Sequence, residues 1–207
     1  MIKYLRVRGP SMTALFAMFI YAFSMAITPG PNNIIALSTG VNYGFKKALP
    51  FTLGVVIGFN LLLAIIGFGI GTVVAGNEGF LKILGYGGIA FMAYMAYKIA
   101  TAPTHITPKS DREAGFMHGV LFQWINPKAW TACLGGIGAF NLAGNHLGII
   151  YYIAISTGVV LFSVSMWAYA GSKITRLLEN ERNHKFFNYA MGSALLGVAL
   201  YVLLMDK

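Results

Sequence analysis

Charge is confined to short windows along this chain, and apolar stretches run between them at roughly 13–38, 49–74, 80–101, 116–140, 147–171 and 186–205. Each is long enough to cross a hydrocarbon layer about 30 Å thick at about 1.5 Å of rise per residue. All six acidic residues, Glu78, Asp111, Glu113, Glu179, Glu181 and Asp206, fall outside these stretches. The bilayer interior is therefore offered no carboxylate. With 57% apolar and 10% charged residues, the 207-residue chain carries more apolar surface than one water-soluble domain encloses. A soluble helical bundle would need polar faces, and the stretches have none. The expectation is an all-α polytopic membrane protein with six transmembrane helices. The first stretch is too long for a cleaved signal peptide and ends in no small-residue cleavage pattern.

Two of the six stretches are interrupted. "SMAITPGPNNIIAL", residues 24–37, places two prolines, a glycine and two asparagines inside the first, and "LFQWINPKAW", residues 121–130, places a proline inside the fourth. Proline removes an amide donor and clashes with the preceding turn, so neither stretch can be one continuous helix. Pro29 and Pro127 lie 98 residues apart, and Gly40 and Gly138 repeat that separation. Because three spans separate the breaks, two halves of about 12–101 and 116–205 would insert with opposite topology. Interrupted spans at corresponding places of an inverted repeat point to a transporter's central binding site. The expected fold is thus two inverted three-helix repeats with broken first and fourth spans.

Half-helices at a break expose amide donors at one tip and carbonyl acceptors at the other, and a small zwitterion needs both. Asn32 and Asn33 satisfy freed backbone groups or line the cavity, and Thr28 caps the second half-helix. Lys128 is set apart, since an ammonium at this depth needs water, a partner or a substrate carboxylate. It either meets substrate and cavity water or bonds backbone carbonyls near the end of its span. Asn126 reads as a turn former before its proline. Asn60, Gln123, Trp124, Ser163 and Ser165 are further candidates to face the cavity. The glycines of "GVVIGF" (54–59), "GFGIG" (67–71) and "GYGG" (85–88) read as close helix contacts. Tyr94, Tyr97, Tyr151, Tyr152 and Tyr201 read as interface anchors, and His118 as a solvated residue near a helix end.

Nine lysines and arginines occupy the connections 39–48, 98–115 and 172–185, against five on the other side. That bias places the basic loops in the cytoplasm and both termini outside. Three of the opposing five belong to the opening "MIKYLRVRGPS", so the charge conflict favours a native start at Met12, with residues 1–11 as an extension to a single domain, 12–207. The net charge of +9 sits beside apolar spans, which fits anionic lipid rather than nucleic acid. Cys133, the single cysteine, reads as a buried structural thiol. No histidines, carboxylates or activated nucleophile are grouped as an enzyme would need, and no cofactor or metal site is expected.

"TPGPNN", "GF" at 44–45, "GYGGIAFMAYMAYKIA" at 85–100 and "QWINPKA" at 123–129 resemble the LysE/RhtB family of amino-acid exporters. "TPGPNNIIALS" followed by "YKIATAPT" is most similar to its cysteine and O-acetylserine exporter branch. The resemblance implies a bacterial inner-membrane exporter of six spans that moves small amino acids or their derivatives outward, driven by the proton gradient. The family's signature falls on Pro29, Gly30 and Pro31, and on Asn126, Pro127 and Lys128. Some members carry an acidic residue in the second or fifth span, whereas this chain has Asn60, Ser163 and Ser165 there. An ammonium, amides and hydroxyls without an acid suit a neutral amino acid such as cysteine, O-acetylserine, threonine or homoserine. The rival readings are a divalent-cation exporter of the wider fold group, which would want carboxylate or thiolate ligands, and a non-transport structural protein. Assembly into a homo-oligomer is left open.

Overall fold

A computed structural model describes residues 9–70, 78–102, 114–174 and 180–205. Residues 1–8, within the expected N-terminal extension, and the windows 71–77, 103–113 and 175–179, with loop markers such as Asn77 and Lys109, lie outside the described residues, as does the side chain of Tyr201. The described chain is all-helical: α1 (Met12–Ile27), α2 (Pro31–Tyr43), α3 (Phe45–Ile65, continued by a π-helical turn Ile66–Ile70), α4 (Glu78–Ala100), α5 (Phe116–Ile125), α6 (Pro127–Ala139), α7 (His146–Ile174) and α8 (Glu181–Met205).

Phe45–Gly69 and His146–Ile174 are each long and apolar enough to cross a membrane alone. α1 and α2 make a third such unit together, bent by 58°. Both interrupted stretches are interrupted in space, and the prolines set how. A residue before proline is disfavoured in the helical region, and the three such residues at the two breaks are extended: Thr28 at ψ 142°, Gly30 at ψ 176° and Asn126 at ψ 108°. Two prolines two residues apart open a three-residue link, Thr28–Gly30; one proline opens a break of the single residue Asn126.

The helices beyond the breaks match in length. α2 and α6 each have 13 residues and each begins on proline, Pro31 and Pro127, at the helix position where a missing amide costs nothing. Counted from these helix starts, Pro31 pairs with Pro127 at an offset of 96, which pairs Gly40 with Gly136; counted from Pro29 the offset is 98 and Gly40 pairs with Gly138. A Cβ on Gly40 would lie 2.1 Å from the Ala168 carbonyl and one on Gly136 2.3 Å from the Tyr152 hydroxyl, whereas one on Gly138 meets nothing within 4 Å. Both α2 and α6 thus use the tenth residue for a close approach to α7.

α7 is the central post, packed by α1, α2 and α3, while α4 pairs with α8 and α3 with α5. Gly54 and Gly119 bring α3 and α5 backbone to backbone: a Cβ would lie 2.0 Å from the Phe116 carbonyl on the one and 2.3 Å from the Phe51 carbonyl on the other. One core cluster gathers Ile35, Phe51, Met92, Phe122 and Leu195; a second gathers Met18, Leu62, Cys133, Ile149 and Tyr152. Outside, Phe16, Leu53, Ile57, Leu61, Phe162 and Leu200 are exposed. In water such a surface would be a large apolar liability; facing acyl chains it is the expected solvent boundary.

Candidate functional site

The two breaks lie against each other. The Lys128 ammonium, from the first turn of α6, donates to the Thr28 carbonyl (2.9 Å), the Thr28 hydroxyl (2.9 Å) and, more distantly, the Pro29 carbonyl (3.4 Å). Its three donors thus all meet neutral oxygens of the first break. Gly30 makes room for it, since a Cβ there would sit 2.9 Å from Nζ and 3.1 Å from Cδ. Asn126 caps α6 by accepting the Lys128 amide hydrogen on its side chain (3.1 Å), which fixes where the lysine leaves the helix.

Every carbonyl that the first break frees finds a side chain. Met25 O accepts from the Thr28 hydroxyl and Ile27 O from the Trp167 indole (3.2 Å). Ala26 O and Thr28 O both accept from the Asn33 amide, at 2.9 and 2.8 Å. At the second break Trp124 O accepts from the Trp130 indole (2.8 Å). Non-helical backbone at membrane depth persists only where it is satisfied in this way or by cavity water. Thr28 accordingly ends α1 and holds Lys128 rather than capping α2, whose N-cap is Gly30 without a side-chain bond.

A cavity of about 50 Å³ lies where the breaks meet. Its polar wall comes from Asn32, Asn33, Gln123, Asn126, Lys128 and Ser156, with Gly30 and Pro31 at the elbow and Val55, Phe59, Val160 and Val164 as an apolar floor. Asn32 and Gln123 join α2 to α5 through a reciprocal amide pair, 3.1 Å each way, and Gln123 also donates to Gly119 O. Thr28 and Pro29 border the site through Lys128, and Pro127 sets the second break from the start of α6.

Some sequence candidates lie elsewhere. Asn60 is off the cavity wall and donates to the Thr157 hydroxyl (2.7 Å), tying α3 to α7. Ser163 is buried and Ser165 half-buried, neither on the wall. Tyr152, expected at the interface, is 1% exposed and lines the cavity, because Gly136 leaves room for its hydroxyl end. Tyr94, Tyr97 and Tyr151 are exposed. His118 accepts the Gly115 amide hydrogen at the start of α5 (3.3 Å). Ser156 was missed by sequence reasoning; it is 1% exposed, its hydroxyl has no hydrogen-bond partner at bonding distance, and it makes only a weak polar contact with Tyr152.

Apolar outer faces, helices of spanning length and a polar cavity between two broken helices define a multi-pass membrane protein of the translocator class. The chain belongs to the LysE type translocator family, whose model matches residues 23–206. Among its curated relatives are the cysteine/O-acetylserine efflux proteins of Escherichia coli strain K12, of E. coli O1:K1 and of Shigella sonnei strain Ss046. Each is 29% identical over 171 residues, covering 80% of this chain and 86% of the relative. No solved structure matches.

Proposed function

We propose that this chain is a secondary exporter of small neutral amino acids or their derivatives across the bacterial inner membrane, coupled to the proton gradient. Cysteine and O-acetylserine are the first substrates to try, and threonine and homoserine the next. The observation that carries the reading is the Lys128 ammonium at the cavity wall, which among the described residues is held by three neutral oxygens. A carboxylate adds ion–ion attraction to the charge-assisted bonding that Lys128 already has with neutral oxygens, so a substrate carboxylate competes well for this group. Lys128 then exchanges Thr28 and Pro29 for substrate, and the elbow between α1 and α2 loses its tether. The Asn32–Gln123 pair offers a donor and an acceptor to the rest of a zwitterion. Names of the efflux relatives support the substrate class.

The same reading takes the helical units as six spans, α1/α2, α3, α4, α5/α6, α7 and α8, in two inverted halves with both termini outside. Equal lengths of α2 and α6 and their shared proline start support the repeat. Cysteines at Arg182 and Asn145 test the orientation: the first should label only from the cytoplasm and the second only from outside.

Purified protein in proteoliposomes, loaded with radiolabelled O-acetylserine, should release it faster under an imposed proton gradient, and arginine or lysine should compete poorly. Cadmium transport without amino-acid transport would favour the divalent-cation reading instead. Flux equal to that of empty liposomes for every solute would leave a structural role.

A further inference from the structure

The cavity between the breaks has one polar group on its wall that the breaks do not use. Tyr152, Ser156, Val160 and Val164 line it from α7 at a spacing of four, so one face of an unbroken helix forms this side. Ser156 is buried, and among the described residues its hydroxyl has no partner at bonding distance, only the weak polar contact with Tyr152. The amide and ammonium groups on the same wall are all engaged: Asn32 with Gln123, Asn33 with two carbonyls, Asn126 with the Lys128 amide, and Lys128 with Thr28 and Pro29.

A hydroxyl on a helix has a local way to be satisfied, by donating to the carbonyl four residues back. Thr39 does so to Ile35 O (2.7 Å), Thr52 to Ala48 O (3.1 Å), and Thr157, the residue next to Ser156, to Ile153 O (2.8 Å). Ser156 makes no such bond and carries the cost of a buried, unpaired hydroxyl. Ser38 and Ser163 are unpaired too, but neither lies on this wall. An unpaired polar group on the wall of a ligand cavity calls for a partner that enters the cavity.

The proposed export assigns Lys128 to the substrate carboxylate and the Asn32–Gln123 pair to the rest of the zwitterion, which leaves the substrate side chain unread. We infer that Ser156 reads it, by hydrogen-bonding the polar atom that distinguishes the side chain of an exported amino acid from an aliphatic chain of the same size. A hydroxyl both donates and accepts, so it can meet the ester carbonyl of O-acetylserine or the hydroxyl of threonine or homoserine. A thiol is a weaker partner, and cysteine gains less. An aliphatic side chain takes the place of cavity water at Ser156 and returns no hydrogen bond. This rests on the proposed amino-acid export and assigns the side-chain selectivity of that site.

Threonine and valine differ by a hydroxyl for a methyl group, as do homoserine and norvaline. Each is offered as a competitor of radiolabelled O-acetylserine counterflow in proteoliposomes containing the full chain. The native protein should favour the hydroxyl member of each pair roughly three- to tenfold, and Ser156→Ala should bring both ratios close to one. Native ratios in the variant overturn the inference, and so does a native protein that transports without favouring the hydroxyl member. Should Ser156→Ala show no flux, thermal unfolding in detergent decides. A midpoint no lower than the native one, moved equally by threonine and valine, supports the assignment. A lowered midpoint, which would mean that the hydroxyl holds the fold together, or a larger shift with threonine than with valine, overturns it. Native protein without flux of any amino acid would instead remove the exporter reading itself.

Discussion

The two breaks do unequal work. The first is three residues long, and the second is a single asparagine. At the first, carbonyls 25 to 29 all look outward for donors, and four side chains, Thr28, Asn33, Trp167 and Lys128, supply them. The second closes on itself through the Asn126 cap and the Trp130 indole and then lends its lysine to the first. A long break is a set of obligations that distant residues must meet; a short one has a donor to spare. If a substrate recruits that donor, the first break is where the molecule yields.

Removing the donor is the harshest way to break this comparison. Lys128→Met keeps the apolar stem but strips Thr28 and Pro29 of their ammonium and the cavity of its charge. Hydrogen bonds to charged groups are worth about 1.5–3 kcal/mol, so export of O-acetylserine should fall roughly ten- to a hundredfold at matched protein density. An unchanged flux in proteoliposomes would mean that Lys128 only ties the breaks together.

The prolines separate the breaks more finely. Pro127 alone keeps Asn126 extended, whereas Thr28 and Gly30 are each held by a proline of their own. Pro127→Ala allows α5 and α6 to fuse into one helix that draws Asn126 and Lys128 away from the cavity. Pro29→Ala leaves Pro31 to interrupt the chain. Export should therefore drop further in Pro127→Ala than in Pro29→Ala, and the reverse order would show that length does not govern how a break depends on its proline.

How much of this was legible in advance follows from range. Proline acts on its neighbours, so the existence and place of both breaks stand in the sequence, although the residue that caps α2 is Gly30 and not the expected Thr28. What Lys128 touches does not, because Thr28 is 100 residues away and no local rule selects it. Tyr152 and Tyr151 are adjacent and chemically identical, yet one lines the cavity and the other is exposed; only the phase of α7 against α6 separates them. Asn60 shared every local trait of a cavity residue and was claimed by Thr157 across a helix contact. Counting from a residue type, Pro29, and counting from a helix start, Pro31, differ by two residues, a choice that local sequence does not make.

Asn33 offers a smaller perturbation confined to the first break. Its amide is 3% exposed and serves two carbonyls, Ala26 O and Thr28 O, while Lys128 can still reach the second. Asn33→Ala leaves Ala26 O to water or to nothing, a loss of about 1–3 kcal/mol. Thermal unfolding in detergent should show it as a lower midpoint. Asn126→Ala removes one cap and should cost about 1 kcal/mol, so the first break ought to prove the more sensitive of the two.

The smallest effect tests the register itself. Under the 96-residue offset Gly40 and Gly136 are the matched close contacts, and Gly138 is a helical glycine with open space around its Cα. Gly138→Ala adds a methyl group that meets nothing and improves helix propensity by up to about 1 kcal/mol, so stability should stay level or rise slightly. Gly136→Ala drives a methyl into the Tyr152 ring edge and hydroxyl, and Gly40→Ala drives one into the α7 backbone, which cannot rotate aside. Both should lower the folded yield, Gly40→Ala more, because a side chain can yield where a carbonyl cannot. Monodisperse protein recovered from membranes, compared across the three variants, reads this directly. A harmful Gly138→Ala beside a harmless Gly136→Ala would favour the 98-residue offset and, with it, the pairing of Pro29 with Pro127.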